Sequence, residues 1–261
     1  TLSYTVELLM VVDFSLYQFW EERVRDEGNI TTSQIAQDAV RNKIRKFYAS
    51  MGESINFRFQ NISDPYFAIS VEVVDIFIAD TEIASYWTET KKNISNEKNI
   101  FVDGDQCLES FNNWTDSLNN LTRHDHAMLF TRYSIQYNNQ LVSGLTSGYP
   151  VCGIKSVSLV QDHFNSISAT SAARLLGYSL GARSDGDGNA CSSKDNYIMS
   201  PVNAPGEGDT ALNPWHFSLC SIQAFSTFLT GLNSTQDRIC LQTDDAVAIN
   251  DDRAFPGNEY P

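Results

Sequence analysis

Four histidines are the strongest candidates for metal ligands or general bases in this chain: His124, His126, His163 and His216. None stands in H-x-x-x-H spacing, which would place two imidazoles on one helix face, and no cysteine stands in C-x-x-C spacing. His124 and His126 are two residues apart beside a predicted strand, so their side chains would share a face. This pair is a weak indication of a metal site. A Ser/His/Asp triad remains open from one sequence, but we identify no G-x-S-x-G nucleophile elbow, so a hydrolase of that type is not the interpretation we favour.

An acidic, glycine-containing run, Asp185-Gly186-Asp187-Gly188-Asn189, resembles the start of an EF-hand calcium loop. It lacks the glutamate at the twelfth position and flanking helices of the right kind. We therefore predict a plain turn at this place.

Glycosylation sequons and cysteines indicate the compartment. Six N-x-[ST] sequons have no proline in the middle position, at Asn29, Asn61, Asn93, Asn113, Asn120 and Asn233. Together with five cysteines they predict a secreted, oxidised glycoprotein. The chain starts at Thr1 without a basic and apolar leader, so we expect that any signal peptide or pro-segment has been removed.

The net charge of −14 excludes two classes of partner. An acidic chain repels phosphate backbones and anionic membrane surfaces, so we predict no nucleic-acid binding. The longest apolar stretches fall far short of the roughly 20 residues that span a bilayer, so we predict no membrane span.

Hydrophobic spacing predicts alternating strands and helices. β-rich runs predict strands at Thr5–Asp13, Ala68–Ala79, Ala127–Arg132 and Ser156–Gln161, and helical spacing predicts helices at Ser33–Met51, Asp105–Leu121, Ile167–Ala182 and about Trp215–Leu232. Gly52 is interpreted as the stop of the first of these helices. A looser segment before Ser156 suits an edge strand and loops. Strands that alternate with helices imply an α/β sheet.

Six segments resemble the reprolysin metalloprotease domain (adamalysin, ADAM and ADAMTS-type), a branch of the metzincins. Their sequences most resemble those of secreted invertebrate members. In chain order they read YTVELLMVVD, HDHAMLFTR, VCGIKSVSLVQDH, LLGYSLGARSDGDGNAC, YIMSP and WHFSLCS. The resemblance covers about residues 4 to 243. It implies a metzincin (zincin-like) α/β fold, a twisted mixed sheet with packed helices and a smaller C-terminal subdomain. We expect an upper sheet-bearing part at 1–183, a lower part at 184–243 with a Met-turn at Met199, and an acidic tail at 244–261.

The zinc motif of that family, H-E-x-x-H-x-x-G-x-x-H, is replaced in this chain. The three histidine positions read Arg174, Tyr178 and Ser184, and the general-base position reads Leu175, whereas Gly181 is kept. An arginine offers a fixed charge and no lone pair, and a leucine cannot accept a proton. We therefore expect no zinc and no catalysis. The vacated stretch is either a plain core helix or a site where Arg174, Tyr178 and Ser184 bind a carboxylate-bearing group.

The resemblance also implies disulfides and a calcium ion. It pairs Cys152 with Cys240 and Cys191 with Cys220, which leaves Cys107 either as a buried thiol or as a disulfide link to a second chain. A structural calcium would use Glu7, Asp125, Cys240 and Asp244, the last in place of the usual Asn. The resemblance makes His124 and Asp125 framework residues.

The function implied is that of a secreted pseudoprotease. It would act without catalysis, by binding extracellular proteins or as a structural part of an extracellular assembly. The alternative is a toxin-like or inhibitor-like protein that blocks or decoys a protease partner. A residual metallopeptidase or another hydrolase is the least expected reading.

Overall fold

The computed structural model describes residues 1–27, 34–96, 99–118, 121–153, 155–201, 208–232 and 240–241. Its strands are β1 (Leu2–Val12), β2 (Phe67–Ile78), β3 (Lys92–Asn96), β4 (Asn99–Asp103), β5 (His126–Thr131), β6 (Ser134–Tyr137), β7 (Gln140–Val142), β8 (Gly144–Thr146) and β9 (Val157–Gln161). Its helices are α1 (Phe14–Glu27), α2 (Gln34–Gln60), α3 (Tyr86–Glu89), α4 (Gly104–Ser117), α5 (Ser166–Ser179) and α6 (Leu219–Leu232).

The main sheet has the strand order β2-β1-β5-β9-β8. The first four strands run parallel, and β8 pairs antiparallel with β9 at one edge. Parallel strands need crossover connections, and here α2, α4 and other segments between the strands supply them. The predicted α/β fold with a mixed sheet is confirmed.

Strand β1 divides the core because its side chains alternate between two faces. Leu8 and Met10 belong to a large cluster with α2, α5 and α6, whereas Leu9 and Val11 belong to a second cluster with α4 and α3. Since both faces are covered, the strand is apolar almost throughout, which is why the sequence signal at Thr5–Asp13 is strong.

The stop predicted at Gly52 is wrong, since α2 continues to Gln60. A Cβ at Gly52 would collide with the side chain of Val73 on β2. The glycine therefore lets the helix approach the sheet closely, and the packing of α2 on β2 outweighs the helix propensity lost there.

Several elements have no counterpart in the sequence predictions. Helix α1 begins directly after β1, and a second sheet has the order β3-β4-β6-β7. The segment expected to hold an edge strand contains β6, β7 and β8, of which β8 closes the main sheet.

The segment after α5 shares the large core cluster with the sheet. Met199, Phe217, Phe225 and Leu229 pack in the same cluster as α2 and α5. The boundary expected at residue 184 stays a prediction, and the tail expected at 244–261 lies outside the described residues. No described helix is long and apolar enough to cross a membrane.

Candidate functional site

Helix α5 carries Arg174, Leu175 and Tyr178, three of the four positions that the resemblance assigns to the zinc motif. The helix starts at the cap residue Asn165, whose side-chain oxygen accepts a hydrogen bond from the backbone N–H of Ile167 at 3.0 Å. It ends where Gly181 takes a positive φ of 89°, a conformation that favours glycine. A Cβ at Gly177 would lie 2.9 Å from Sδ of Met199, so a glycine there lets the loop around Met199 lie directly under the helix.

Arg174 faces this loop and is 9% exposed. Its Nε donates a hydrogen bond to the backbone oxygen of Ile198 at 2.7 Å. Burial lowers the pKa of Arg174, whereas the nearby Tyr178 and Asp185 act in the opposite direction. Because an arginine stays protonated in a protein, the first zinc-motif position holds a positive charge that ties α5 to the loop.

Tyr178 and Ser184, at the other two histidine positions, bond to each other. Their hydroxyl oxygens lie 2.7 Å apart. Leu175, at the base position, is buried in the large core cluster. A zinc ion needs unprotonated nitrogen, sulfur or carboxylate ligands, and these side chains bring a guanidinium, two mutually bonded hydroxyls and an isobutyl group. The residues of this site do not fit a zinc ion, and the hypothesis that they bind a carboxylate stays a prediction.

Asp185 anchors the chain directly after these positions. Its Oδ1 accepts a hydrogen bond from the hydroxyl of Ser218 at 2.6 Å, and its N–H donates to the oxygen of Met199 at 3.0 Å. Burial raises the pKa of Asp185, and the bond from Ser218 opposes that shift. The run Asp185 to Asn189 forms a turn with positive φ at Gly186 and Gly188, as expected.

Strand β8 borders α5 and presents an open edge. Among the described strands of the main sheet, β8 pairs with β9 alone. The N–H of Ser147 donates a hydrogen bond to the backbone oxygen of Val157, and the N–H of Gln161 donates one to the backbone oxygen of Ser143. The backbone N–H and C=O groups of the odd-numbered residues in this segment therefore point toward β9. In an antiparallel ladder the N–H and C=O groups of the alternate residues, here Gly144 and Thr146, then point away from the sheet. These groups can accept a further strand.

A second group of polar residues lies at the start of β5. The N–H of Glu7 donates to Oδ2 of Asp125 at 2.9 Å, and the N–H of Asp125 donates to the oxygen of Glu7 at 2.8 Å. Burial, with a smaller contribution from the charge of Glu7, raises the pKa of Asp125 to about 7. Oε2 of Glu7 is buried and has no hydrogen-bond partner among the described residues, and Nε of Arg123 lies 3.9 Å from it. This is a buried pair of carboxylates with incomplete compensation.

Two cysteines complete this group. Ligand atoms of Asp125, Cys152 and Cys240 lie within 4.8 Å of one another, which makes them a possible metal-binding group. In the structure Cys152 and Cys240 form a disulfide, and Cys191 and Cys220 form another, in the pairing that the resemblance implied. Because sulfur ligates metals as thiolate, the disulfide and a sulfur-ligated metal are alternative states of Cys152 and Cys240.

Two other sequence candidates have structural roles. The ring nitrogens of His126 lie 2.7 Å and 2.8 Å from the hydroxyl oxygens of Ser156 and Ser158, and burial lowers its pKa to about 3. Nδ1 of His124 lies 2.7 Å from a backbone oxygen. The weak indication of a metal site at this pair is therefore not supported, because His126 is held among hydroxyls inside the sheet.

Cys107 is a buried free thiol, and burial raises its pKa far above the ordinary value. An intermolecular disulfide at Cys107 requires local opening of α4.

Sequence reasoning passed over the run Gly177-Tyr178-Ser179-Leu180-Gly181, which matches the G-x-S-x-G pattern. A nucleophile elbow needs a strand-to-helix turn, whereas this serine is the last residue of α5. Oγ of Ser179 is buried and donates to the oxygen of Leu175 at 3.3 Å. The pattern is therefore a coincidence of sequence.

The sequons are placed in part. Asn93 and Asn113 are exposed on β3 and α4, and Asn61 is half-buried just after α2. Asn29, Asn120 and Asn233 lie outside the described residues, as does Asp244 of the expected calcium site.

Comparisons with known proteins identify relatives of this chain. A family model described as "Reprolysin (M12B) family zinc metalloprotease" matches residues 73–244. "A disintegrin and metalloproteinase with thrombospondin motifs 6" from Homo sapiens is 28% identical over 60% of this chain and 15% of its own length, and the thrombospondin-motif protein 16 from Homo sapiens is 33% identical over 52% and 11%. A protein from Bombyx mori named "A disintegrin and metalloproteinase with thrombospondin motifs like" is 21% identical over 88% of this chain and 32% of its own length.

This chain therefore spans about a tenth to a third of the length of these relatives. Among solved structures, archaemetzincin from Methanopyrus kandleri matches with a TM-score of 0.42 and 11% identity, over 86% of this chain and 96% of that one.

The family match corrects two predictions. The chain was expected to be no enzyme and to hold no zinc, whereas the family that it matches consists of zinc metalloproteases and Asp125, Cys152 and Cys240 form a possible metal-binding group. Both predictions extended the residue types at Arg174, Leu175, Tyr178 and Ser184 to the whole domain. Four replaced positions describe one site and do not decide whether the chain holds a metal or acts on peptides elsewhere.

Proposed function

Because the chain belongs to the reprolysin family of zinc metalloproteases, we propose that it binds an extended segment of an extracellular protein along the outer edge of β8, above α5. The observation that carries the proposal is the free edge of β8. Backbone N–H and C=O groups at such an edge form a ladder with an added strand, and side-chain pockets beside it supply selectivity.

The proposed binding cleft lies between the outer edge of β8 and the chain after α5, and its floor is rigid. Arg174 fixes α5 to the loop at Ile198, and Tyr178 bonds to Ser184 where the chain turns under the helix. A rigid floor reduces the ordering cost of binding a peptide. In this proposal the cleft separates the sheet-bearing part, 1–183, from the part after Ser184.

An extracellular location is supported by the two disulfides and by the exposed sequons at Asn93 and Asn113. Disulfides persist in oxidising compartments, and a glycan needs an exposed asparagine.

A calcium ion at Glu7 and Asp125 is part of the same proposal. The buried carboxylate oxygen of Glu7 without a hydrogen-bond partner and the raised pKa of Asp125 are what a hard cation would relieve. Such an ion would stabilise the start of β5 and would not take part in peptide binding.

A proline at position 146 tests the strand-addition proposal. Thr146→Pro removes the outward N–H of β8, and a proline is tolerated on an edge strand when its nitrogen faces away from the sheet. Thr146→Val keeps the N–H and removes the hydroxyl, so it is the matched control. The probe is a displayed library of random peptides, from which binders to the wild-type protein are selected.

We expect Thr146→Pro to weaken the selected peptides at least about tenfold and Thr146→Val to change little. Equal affinity for Thr146→Pro, with an unchanged far-UV spectrum, would contradict strand addition. Mass spectrometry of the recovered peptides then distinguishes an intact ligand from a cleaved substrate.

A further inference from the structure

Two guanidinium groups lie against one aromatic ring at the carboxyl end of the parallel strands. Cζ of Arg23 lies 4.9 Å from the centroid of the Phe19 ring, and Cζ of Arg132 lies 4.7 Å from it. Phe19 and Arg23 are one helical turn apart on α1, and Arg132 follows the last residue of β5. Both arginines are exposed.

These two charges lack a carboxylate partner in the part of the chain that the structure describes. Among the residues that the structure describes, no acidic group forms a salt bridge with Arg23 or Arg132. Arg25, on the same helix, instead pairs with Glu21 at 3.4 Å. Because both charges lie within 4.9 Å of the same ring centroid, each raises the energy of the other, and an anion bound beside them would reduce that cost.

The ring of Phe19 is held in place by a second aromatic ring. Phe164 stacks on Phe19 with centroids 4.2 Å apart and planes inclined by 24°. Phe164 has a φ of 57°, an uncommon conformation for a residue other than glycine. Its N–H donates to the buried Asp162 at 2.8 Å. Such outliers cluster at ligand-binding sites, where the surrounding structure keeps them in place.

The main chain at Arg132 is fixed as well. Its N–H donates to the hydroxyl of Ser15 at 3.0 Å, and that hydroxyl donates to the buried Asp13 at 2.6 Å. These residues follow the ends of β1 and β5, and Phe164 follows the end of β9. In α/β sheets the crevice outside the carboxyl ends of parallel strands is a common place for ligands.

We propose that Phe19, Arg23 and Arg132 form a binding site for a single carboxylate, supplied by an acidic side chain of an extracellular protein partner. Guanidinium groups bind carboxylates through paired, charge-assisted hydrogen bonds, and the ring offers a contact for the adjacent methylene groups. The net charge of −14 opposes long polyanions, for which binding grows with the number of charges neutralised. A site with two cations suits one carboxylate, and no residue of β8 or α5 belongs to it.

The test uses the peptide Ac-Gly-Glu-Gly-NH2 and its uncharged match Ac-Gly-Gln-Gly-NH2, added to the ¹⁵N-labelled protein. The side-chain Nε–Hε signals of the arginines are followed by NMR. We expect the Glu peptide to shift the signals of Arg23 and Arg132, and the Gln peptide to leave them unchanged. Arg23→Gln and Arg132→Gln should each weaken binding about tenfold, whereas Arg25→Gln should bind as the wild type does.

Three results would overturn the proposal. They are the absence of a shift at about 20 mM Glu peptide, equal shifts with the Gln peptide, and unchanged affinity in both Gln variants. Tighter binding of a heparin fragment than of the Glu peptide at the same arginines would overturn the choice of a protein carboxylate. Thr146→Pro leaves all three residues of the site in place, so this outcome is independent of the strand-addition test.

Discussion

The α5 site and the Glu7–Asp125 site differ in how their charges are compensated. At α5 Arg174 bonds to Ile198 and Tyr178 bonds to Ser184. The buried carboxylate of Asp185 there has one oxygen without a hydrogen-bond partner among the described residues, but it lies near the positive charge of Arg174. At the start of β5 two carboxylates share a buried space, one oxygen of Glu7 has no hydrogen-bond partner, and burial raises the pKa of Asp125 to about 7. A site of the first kind is stable by itself, whereas one of the second kind gains stability when it binds a cation or a proton.

Each region contains one disulfide, and removing them should give the largest effects. The bond between Cys152 and Cys240 closes a sequence separation of 88 residues and adjoins Asp125, and the bond between Cys191 and Cys220 closes 29. In the loop-entropy model, replacing both cysteines by serine costs about 4–5 kcal/mol for the first pair and about 3–4 kcal/mol for the second. Urea unfolding under non-reducing conditions measures both. If replacing Cys191 and Cys220 lowers the free energy of unfolding more than replacing Cys152 and Cys240, then packing after α5, and not loop closure, decides which disulfide stabilises the protein more.

Calcium should give the next largest effect, at the carboxylate site alone. At a hundredfold excess over its dissociation constant, a bound ion raises the free energy of unfolding by about 2.7 kcal/mol. Thermal unfolding with and without calcium measures the gain. Glu7→Gln should abolish it, and Glu72→Gln, on the adjacent strand β2, is the control. An equal calcium effect in Glu7→Gln would place the ion elsewhere.

The pH dependence sharpens this prediction. The folded pKa of Asp125, about 7, exceeds its ordinary value of 3.8, so the folded protein binds the proton more tightly. Its contribution to stability is complete below pH 3.8 and is lost as the pH rises through about 7, with a slope of at most about 1.4 kcal/mol per pH unit. Asp13, with a pKa raised to about 6 by burial, acts in the same direction. Calcium should remove the contribution of Asp125 to the pH dependence and leave that of Asp13. The free energy of unfolding should therefore fall less steeply with pH in calcium, but it should still fall.

The sequence predicted the frame of the molecule better than its sites. Continuous apolar runs located β1, β5 and β9 because those strands are buried almost throughout. The edge strand β2 is only partly buried, and its β-rich composition located it. Helix α1 was missed although Leu16, Trp20 and Val24 recur at helical spacing, so a signal was present. The short strands β3, β6 and β7 gave none: they pair with neighbours in sequence, but few of their side chains are buried, so no apolar run marks them.

The chemistry of the sites depends on contacts between distant segments. The sequence shows an arginine at 174, but not that its partner is a backbone oxygen at 198, 24 positions along the chain. Arg132 reaches the ring of Phe19 only because β5 lies beside β1 in the sheet. The sequence shows which residue types stand at each site, but it does not show which groups compensate their charges.

The smallest of these effects tests the α5 half of the comparison. Arg174→Met keeps the length and apolar stem of the side chain and removes the donor to the fully buried Ile198. The carbonyl oxygen left without that donor, together with the loss of a charged hydrogen bond, should cost about 2 kcal/mol of the free energy of unfolding in urea. Arg183→Met, at an exposed neighbouring position, is the control and should change it by less than about 0.5 kcal/mol. Because the α5 site supplies its own cation, calcium should stabilise Arg174→Met by as much as it stabilises the wild type. An Arg174→Met protein that is more stable than the wild type would instead show that the guanidinium costs more to bury than its bond returns, and self-compensation would then fail as the account of this site.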